Sequence, residues 1–146
     1  MPLYTVSSHQ ALNEQQKQQL VNGITDIHCN ITQAPAMFVQ VVFSFNVPLD
    51  SAKNVHMLGS IRHGRSDDIK EKLMDEFRAL FSDVLAVEKN SAEVVLIDIP
   101  ASWVIEGGEI LPEPGEEEGR RGHEVRHRGG SAPPPRVPGN CPGARL

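Results

Sequence analysis

The sequence predicts an α/β fold, a two-layer sandwich made from a duplicated β-α-β unit, and three observations carry that expectation. Two amphipathic stretches suited to helices begin 53 positions apart, at Glu14 and Asp67. Two turn-forming prolines, Pro48 and Pro100, stand 52 apart. Each helical stretch lies between short runs rich in β-branched and aromatic residues. Crossover helices of this length suit parallel strand pairing within each half, with both helices on one sheet face.

The elements follow in order. Pro2–Ser7 reads as a strand. Asn13 can cap a helix from about Glu14 to Asn30, in which Leu20, Ile24, Ile27 and Ile31 recur at helical spacing. Met37–Val47 and Asn54–Ile61 read as the next two strands. Ser66 caps the second helix, and Asp67 and Asp68 suit its positive end. Ile69, Leu73, Phe77, Leu80 and Val84 are expected to form its buried stripe. Glu93–Ile99 is a further strand, stopped by Pro100.

Composition sets the domain boundary. The last 34 of the 146 residues hold 7 of 12 glycines and 6 of 11 prolines, with Val125, Val137 and Leu146 as their only large aliphatic residues. Such a segment buries too little apolar surface to offset its ordering entropy. Residues 1–115 are therefore expected to form the domain, and 116–146 a disordered tail.

Charge and hydropathy exclude several classes. Residues 1–112 carry 8 Lys/Arg against 14 Asp/Glu, so the body is acidic and lacks the basic stripe of a nucleic-acid binder. The longest nearly apolar run, Met37–Phe43, is far short of the roughly 20 residues a membrane helix needs. The start, Met1-Pro2-Leu3-Tyr4-Thr5, has no secretory pattern, and Cys29 and Cys141 form neither a disulfide framework nor a metal motif. A cytoplasmic protein without nucleic-acid or membrane partners is expected.

Four places could carry chemistry. Removal of Met1 would leave Pro2 with a free secondary amine. An α-amine titrates at about 7.7–8.0, and burial or nearby cations lower that toward the range of a general base. Alternatively, Pro2 merely starts an edge strand. Arg62-His63-Gly64-Arg65-Ser66 joins a strand to a helix start, so Arg62 and Arg65 bracket a point where free N–H groups favour an anion such as a carboxylate or small phosphate. His28 borders the apolar stripe of the first helix, as a ligand contact or as a packed histidine. Glu106, in Trp103-Val104-Ile105-Glu106-Gly107-Gly108, is an acid among apolar neighbours, suited to acid–base work or to an exposed turn.

His123-Glu124-Val125-Arg126-His127 matches H-E-x-x-H, but Gly119, Gly122 and Gly129-Gly130 flank it, and no His, Asp or Glu follows His127. Without a stable helix and a third ligand it is not expected to hold catalytic zinc.

Taken together, the N-terminal proline, the duplicated body and the paired arginines resemble the tautomerase superfamily, and within it the cis-3-chloroacrylic acid dehalogenase group. The local matches are Ile24-Thr25-Asp26-Ile27-His28, Arg62-His63-Gly64-Arg65-Ser66, and Glu106 with Gly108 and Leu111-Pro112-Glu113-Pro114-Gly115. The resemblance implies that Pro2 is the catalytic amine, that Arg62, Arg65 and His28 bind a substrate carboxylate, and that Glu106 activates water. It also implies a homotrimer needing no metal or organic cofactor. The water-positioning tyrosine of the dehalogenases falls at Val95, and the lone tyrosine is Tyr4. Loss of that hydroxyl weakens the case for dehalogenation, whereas keto–enol isomerisation needs only the amine and the carboxylate clamp.

The expected activity is therefore a tautomerase acting on a small 2-oxo or enol carboxylic acid. The alternatives are a hydratase or weak cis-3-haloacrylate dehalogenase using Glu106, and a non-catalytic carboxylate-binding or assembly protein of the same fold.

Overall fold

The structure is a computed structural model, and it describes residues 2–106 and 108–113. Strand β1 (Leu3–Ser8) leads into helix α1 (Glu14–Thr32) and strand β2 (Gln40–Phe45); strand β3 (Val55–Arg62) leads into helix α2 (Asp67–Leu85) and strand β4 (Ala92–Ile99). A small hairpin of β5 (Ile105–Glu106) and β6 (Glu109–Ile110) follows. The expected duplication is present, and the two helices have the same length of 19 residues.

The main sheet has the order β2-β1-β3-β4. Pairing is parallel within each half, as the crossover helices require. The halves meet through an antiparallel β1–β3 pair in which Leu3 faces Ser60 and Tyr4 faces Gly59. This register sets the start of β1 beside the end of β3, which is the geometry on which the site depends.

Local chemistry explains the helix boundaries. Asn13 and Gln16 form a reciprocal capping box: the Gln16 N–H donates to Asn13 Oδ1 at 2.8 Å, and the Asn13 N–H to Gln16 Oε1 at 3.0 Å. Ser66 caps α2 by accepting from the Ile69 N–H at 3.4 Å. Both helices end on a left-handed residue, Gln33 and Ala86.

Strand alternation sorts the side chains. Tyr4 and Val6 of β1, Met57 and Ile61 of β3 and Val94 of β4 pack under the helices with Leu20, Ile24, Leu73, Phe77 and Phe81. The fully buried stripe of α2 is Leu73, Phe77 and Phe81, with Ile69, Leu80 and Val84 at its flanks. The stripe predicted through Leu80 and Val84 was thus rotated by part of a turn, because α2 packs against α1 as well as the sheet. Among the described residues no helix lies over the opposite sheet face. There Val42, Val95 and Ile97 are 48%, 38% and 40% exposed.

Among the described residues no helix is long and apolar enough to cross a membrane, and no group of His, Cys, Asp or Glu is arranged to hold a metal. The expected tail at 116–146 and the His123–His127 motif lie outside the described residues.

Candidate active site

The chain start, the C-terminal end of α1, the end of β3 and the start of α2 converge at one end of the sheet. Pro2 is buried there, and its carbonyl accepts from the Gln40 N–H at 3.1 Å. His28 is completely buried on the last turns of α1, and its Nδ1 lies 2.6 Å from the Tyr4 hydroxyl. Its other nitrogen, Nε2, has no hydrogen-bond partner among the described residues.

Arg62 and Arg65 reach this end by different routes. Arg62 is the last residue of β3, paired with Ile99, and its guanidinium donates to the Pro112 carbonyl beyond β6. Arg65 follows Gly64, whose φ of 101° turns the loop in a way that side-chain-bearing residues rarely adopt. Arg65 is half-buried, its Nε lacks a partner among the described residues, and its charge acts on Tyr4 and His28. Lys70 pins this loop by pairing with Asp67 at 2.9 Å and Asp98 at 3.0 Å, so the first turn of α2 is tied to the end of β4. Those hydrogen bonds raise the Lys70 pKa.

The electrostatics follow from crowding cations into a dry space. Burial, then Arg65, then the positive chain start push His28 down to about 4 from 6.5. Burial raises the Tyr4 phenol above its ordinary value despite Arg65. Burial is also the main cause lowering the Arg65 pKa, and Arg62 adds to it. A neutral imidazole, a neutral phenol and two guanidiniums result. Such a set lacks a negative charge, and a carboxylate would supply one.

His28 consequently makes the fold acid-sensitive. Between pH 6.5 and 4 the unfolded chain binds a proton that the folded chain refuses, so stability is complete above about pH 6.5 and declines below it. The loss by pH 4 is expected to be about 3 kcal/mol. Denaturant unfolding at pH 7 and pH 4 should show that decline in the wild type and a much smaller one in His28→Asn. Equal pH dependence in the two proteins would contradict it.

The structure thus gathers Pro2, His28 and Arg65 at one end, with Arg62 beside Arg65. Glu106 is placed only by its backbone in β5, opposite Glu109, and its side chain lies outside the described residues. Sequence reasoning missed Tyr4 as part of this cluster. The signal was present, since a tyrosine at a core-facing strand position needs a partner for its hydroxyl. Tyr4 does not replace the hydroxyl absent at Val95: Tyr4 faces the helices, whereas Val95 is on the open sheet face.

A paired β-α-β sandwich with a four-stranded mixed sheet and two helices on one face defines the tautomerase class of fold. The chain belongs to that superfamily: residues 1–125 match the family described as "Putative oxalocrotonate tautomerase enzyme". Among solved structures it is similar to N1, a member of the cis-3-chloroacrylic acid dehalogenase family, at 28% identity over 80% of this chain and 88% of that one, with a TM-score of 0.71. It is also similar to native Ps01740, at 30% identity over 71% and 99% of the respective chains, with a TM-score of 0.66. The R7 fused 4-OT wild-type asymmetric trimer shares the fold at 24% identity over 74% and 94%, with a TM-score of 0.67. No curated protein matches the chain. The fold is therefore of the tautomerase and dehalogenase catalytic type, and it broadly matches the cis-3-chloroacrylic acid dehalogenase-like group.

Proposed function

We propose that this chain is a cofactor-independent tautomerase of a small 2-oxo or enol carboxylic acid. The observation that carries this reading is a pair of buried nitrogens, His28 Nε2 and Arg65 Nε, without partners among the described residues, at the end of the sheet where Pro2 is buried. Buried polar groups are normally hydrogen-bonded, and a carboxylate oxygen would satisfy both nitrogens. With Met1 removed, the Pro2 amine takes a proton from the enol or carbon acid and returns it at carbon. Arg62 and Arg65 hold the carboxylate and stabilise the enolate charge as it develops.

The test is spectroscopic ketonisation of an aryl enolpyruvate by protein whose intact mass shows Met1 absent. Turnover well above buffer is expected. Binding without turnover would instead support a carboxylate-binding protein of the same fold.

A second reading, hydration or dehalogenation of an unsaturated three-carbon acid, is favoured by the 28% identity to a dehalogenase-family member. In it Glu106 activates water and the proline ammonium protonates carbon. Val95 supplies no hydroxyl to orient that water, so turnover of cis-3-chloroacrylate should be much slower than ketonisation.

The proposed assembly is a homotrimer. Its support is the apolar sheet face around Val42, Val95 and Ile97, which no element among the described residues covers, and the trimers named among the structures of this fold. Light scattering on the full chain of 16.0 kDa should give about three times that mass. A monomer mass would contradict this assembly.

A further inference from the structure

We propose that Tyr4 is a positioning residue that donates its hydroxyl proton to Nδ1 of His28, thereby fixing the imidazole with its proton on Nε2 and aiming that N–H at the substrate carboxylate, in a ring position that only glycine at 59 leaves open. The proposal rests on the carboxylate-binding reading above for its target, although the tautomer stands on geometry alone.

The ring of Tyr4 is confined on every side. Its edge meets Phe77 with centroids 5.1 Å apart and His28 at 5.7 Å. On β3 its cross-strand neighbour is Gly59. A Cβ built at Gly59 would stand 2.7 Å from Tyr4 Cε1, 2.9 Å from Cδ1 and 2.5 Å from Leu96 Cδ2. The missing side chain is the space in which the Tyr4 ring lies, so residue 59 determines where the hydroxyl ends.

Counting protons then selects the tautomer. The fully buried Tyr4 hydroxyl has His28 Nδ1 as its hydrogen-bond partner, at 2.6 Å. Were the proton on Nδ1, the phenolic hydrogen would be left without an acceptor, and Nε2 would be a buried lone pair with no donor among the described residues. With the phenol donating, Nδ1 is satisfied, and the one group of this pair left without a partner among the described residues is an N–H on Nε2. The imidazolium form is disfavoured first by burial, then by Arg65 on the β3–α2 loop and by the chain start, while its β1 neighbour is the neutral Tyr4. The site therefore presents a neutral donor between fixed cations. Such a donor strengthens as negative charge builds on the ligand and does not give up its proton to it.

Long-range proton–nitrogen NMR of the full chain with labelled histidine reads the tautomer directly. Wild type should show His28 as a single Nε2–H tautomer from pH 6 to 8, and the Nε2 proton should move downfield on adding pyruvate. Tyr4→Phe should bring the two ring nitrogens toward a mixed-tautomer average and lower kcat/KM by roughly tenfold. Gly59→Ala, which keeps the phenol but displaces its ring, should shift the nitrogens the same way. A wild-type proton on Nδ1, an unchanged pattern in either variant, or no response to pyruvate would overturn the proposal. The tautomer is measured without turnover, so an inactive protein with the Nε2–H form sinks the catalytic reading and leaves the tautomer assignment standing.

Discussion

Replacing Arg65 with alanine is expected to lower kcat/KM by about 2–5 kcal/mol of transition-state stabilisation, or roughly 30- to 5,000-fold. The size follows from its surroundings. A solvated loop arginine would cost little, but Arg65 is half-buried behind the Gly64 turn, its Nε is shielded from water, and Tyr4 and His28 lie within its field. A carboxylate bound there exchanges water for guanidinium in a dry space, and removing the cation leaves the anion unpaired. Arg65→Lys should not restore full activity, because an ammonium cannot reproduce two parallel N–H bonds. The variant also carries an internal control. Arg65 helps to keep His28 neutral, so Arg65→Ala should raise the His28 pKa from about 4, although burial still holds it under 6.5. A near-normal kcat/KM together with an unmoved histidine would show that the loop does not face the site.

The second large effect is at the chain start. Retaining Met1 turns the Pro2 nitrogen into an amide with neither basicity nor an N–H, so the Met1-retaining protein should lose the whole contribution of a general base, about 10²–10⁴-fold. Pro2→Ala keeps an amine but exchanges a ring-constrained secondary amine for a freely rotating primary one. A loss of roughly 100-fold in kcat is expected, with KM changed far less, because Arg62, Arg65 and His28 still hold the carboxylate. Enol ketonisation measured on three samples of verified mass checks this. Equal rates in all three would exclude the amine from the chemistry and favour a binding protein.

Most of the fold was legible because it is local. The Asn13 and Ser66 caps, the helical spacing of Leu20, Ile24, Leu73 and Phe77, and the β-branched runs each announce an element within a few residues. The repeat then implied parallel pairing and two helices on one face. The antiparallel joint between β1 and β3 was not legible, since nothing local records which strands meet at the centre. The β5–β6 hairpin was missed for a related reason: two-residue strands carry no period. At the site, Arg62 and Arg65 were visible because a glycine separates them from an ordinary strand-to-helix link. The position of His28 on the helix was visible too, but its complete burial and its bond to Tyr4 depend on partners 24 residues apart in sequence. Long-range pairing of that kind has no sequence period and becomes evident only in three dimensions.

The central antiparallel joint also gives the molecule a quasi-dyad. By element order and register β1 corresponds to β3 and α1 to α2, and the helix starts Glu14 and Asp67 set an offset of 53. By that offset Tyr4 corresponds to Met57 and His28 to Phe81, both wholly enclosed and apolar. The far end of the sheet thus carries the same scaffold with the polar pair replaced by hydrocarbon and sulfur. The repeat therefore extends to the backbone and not to the buried tyrosine–histidine pair, which occurs once among the described residues.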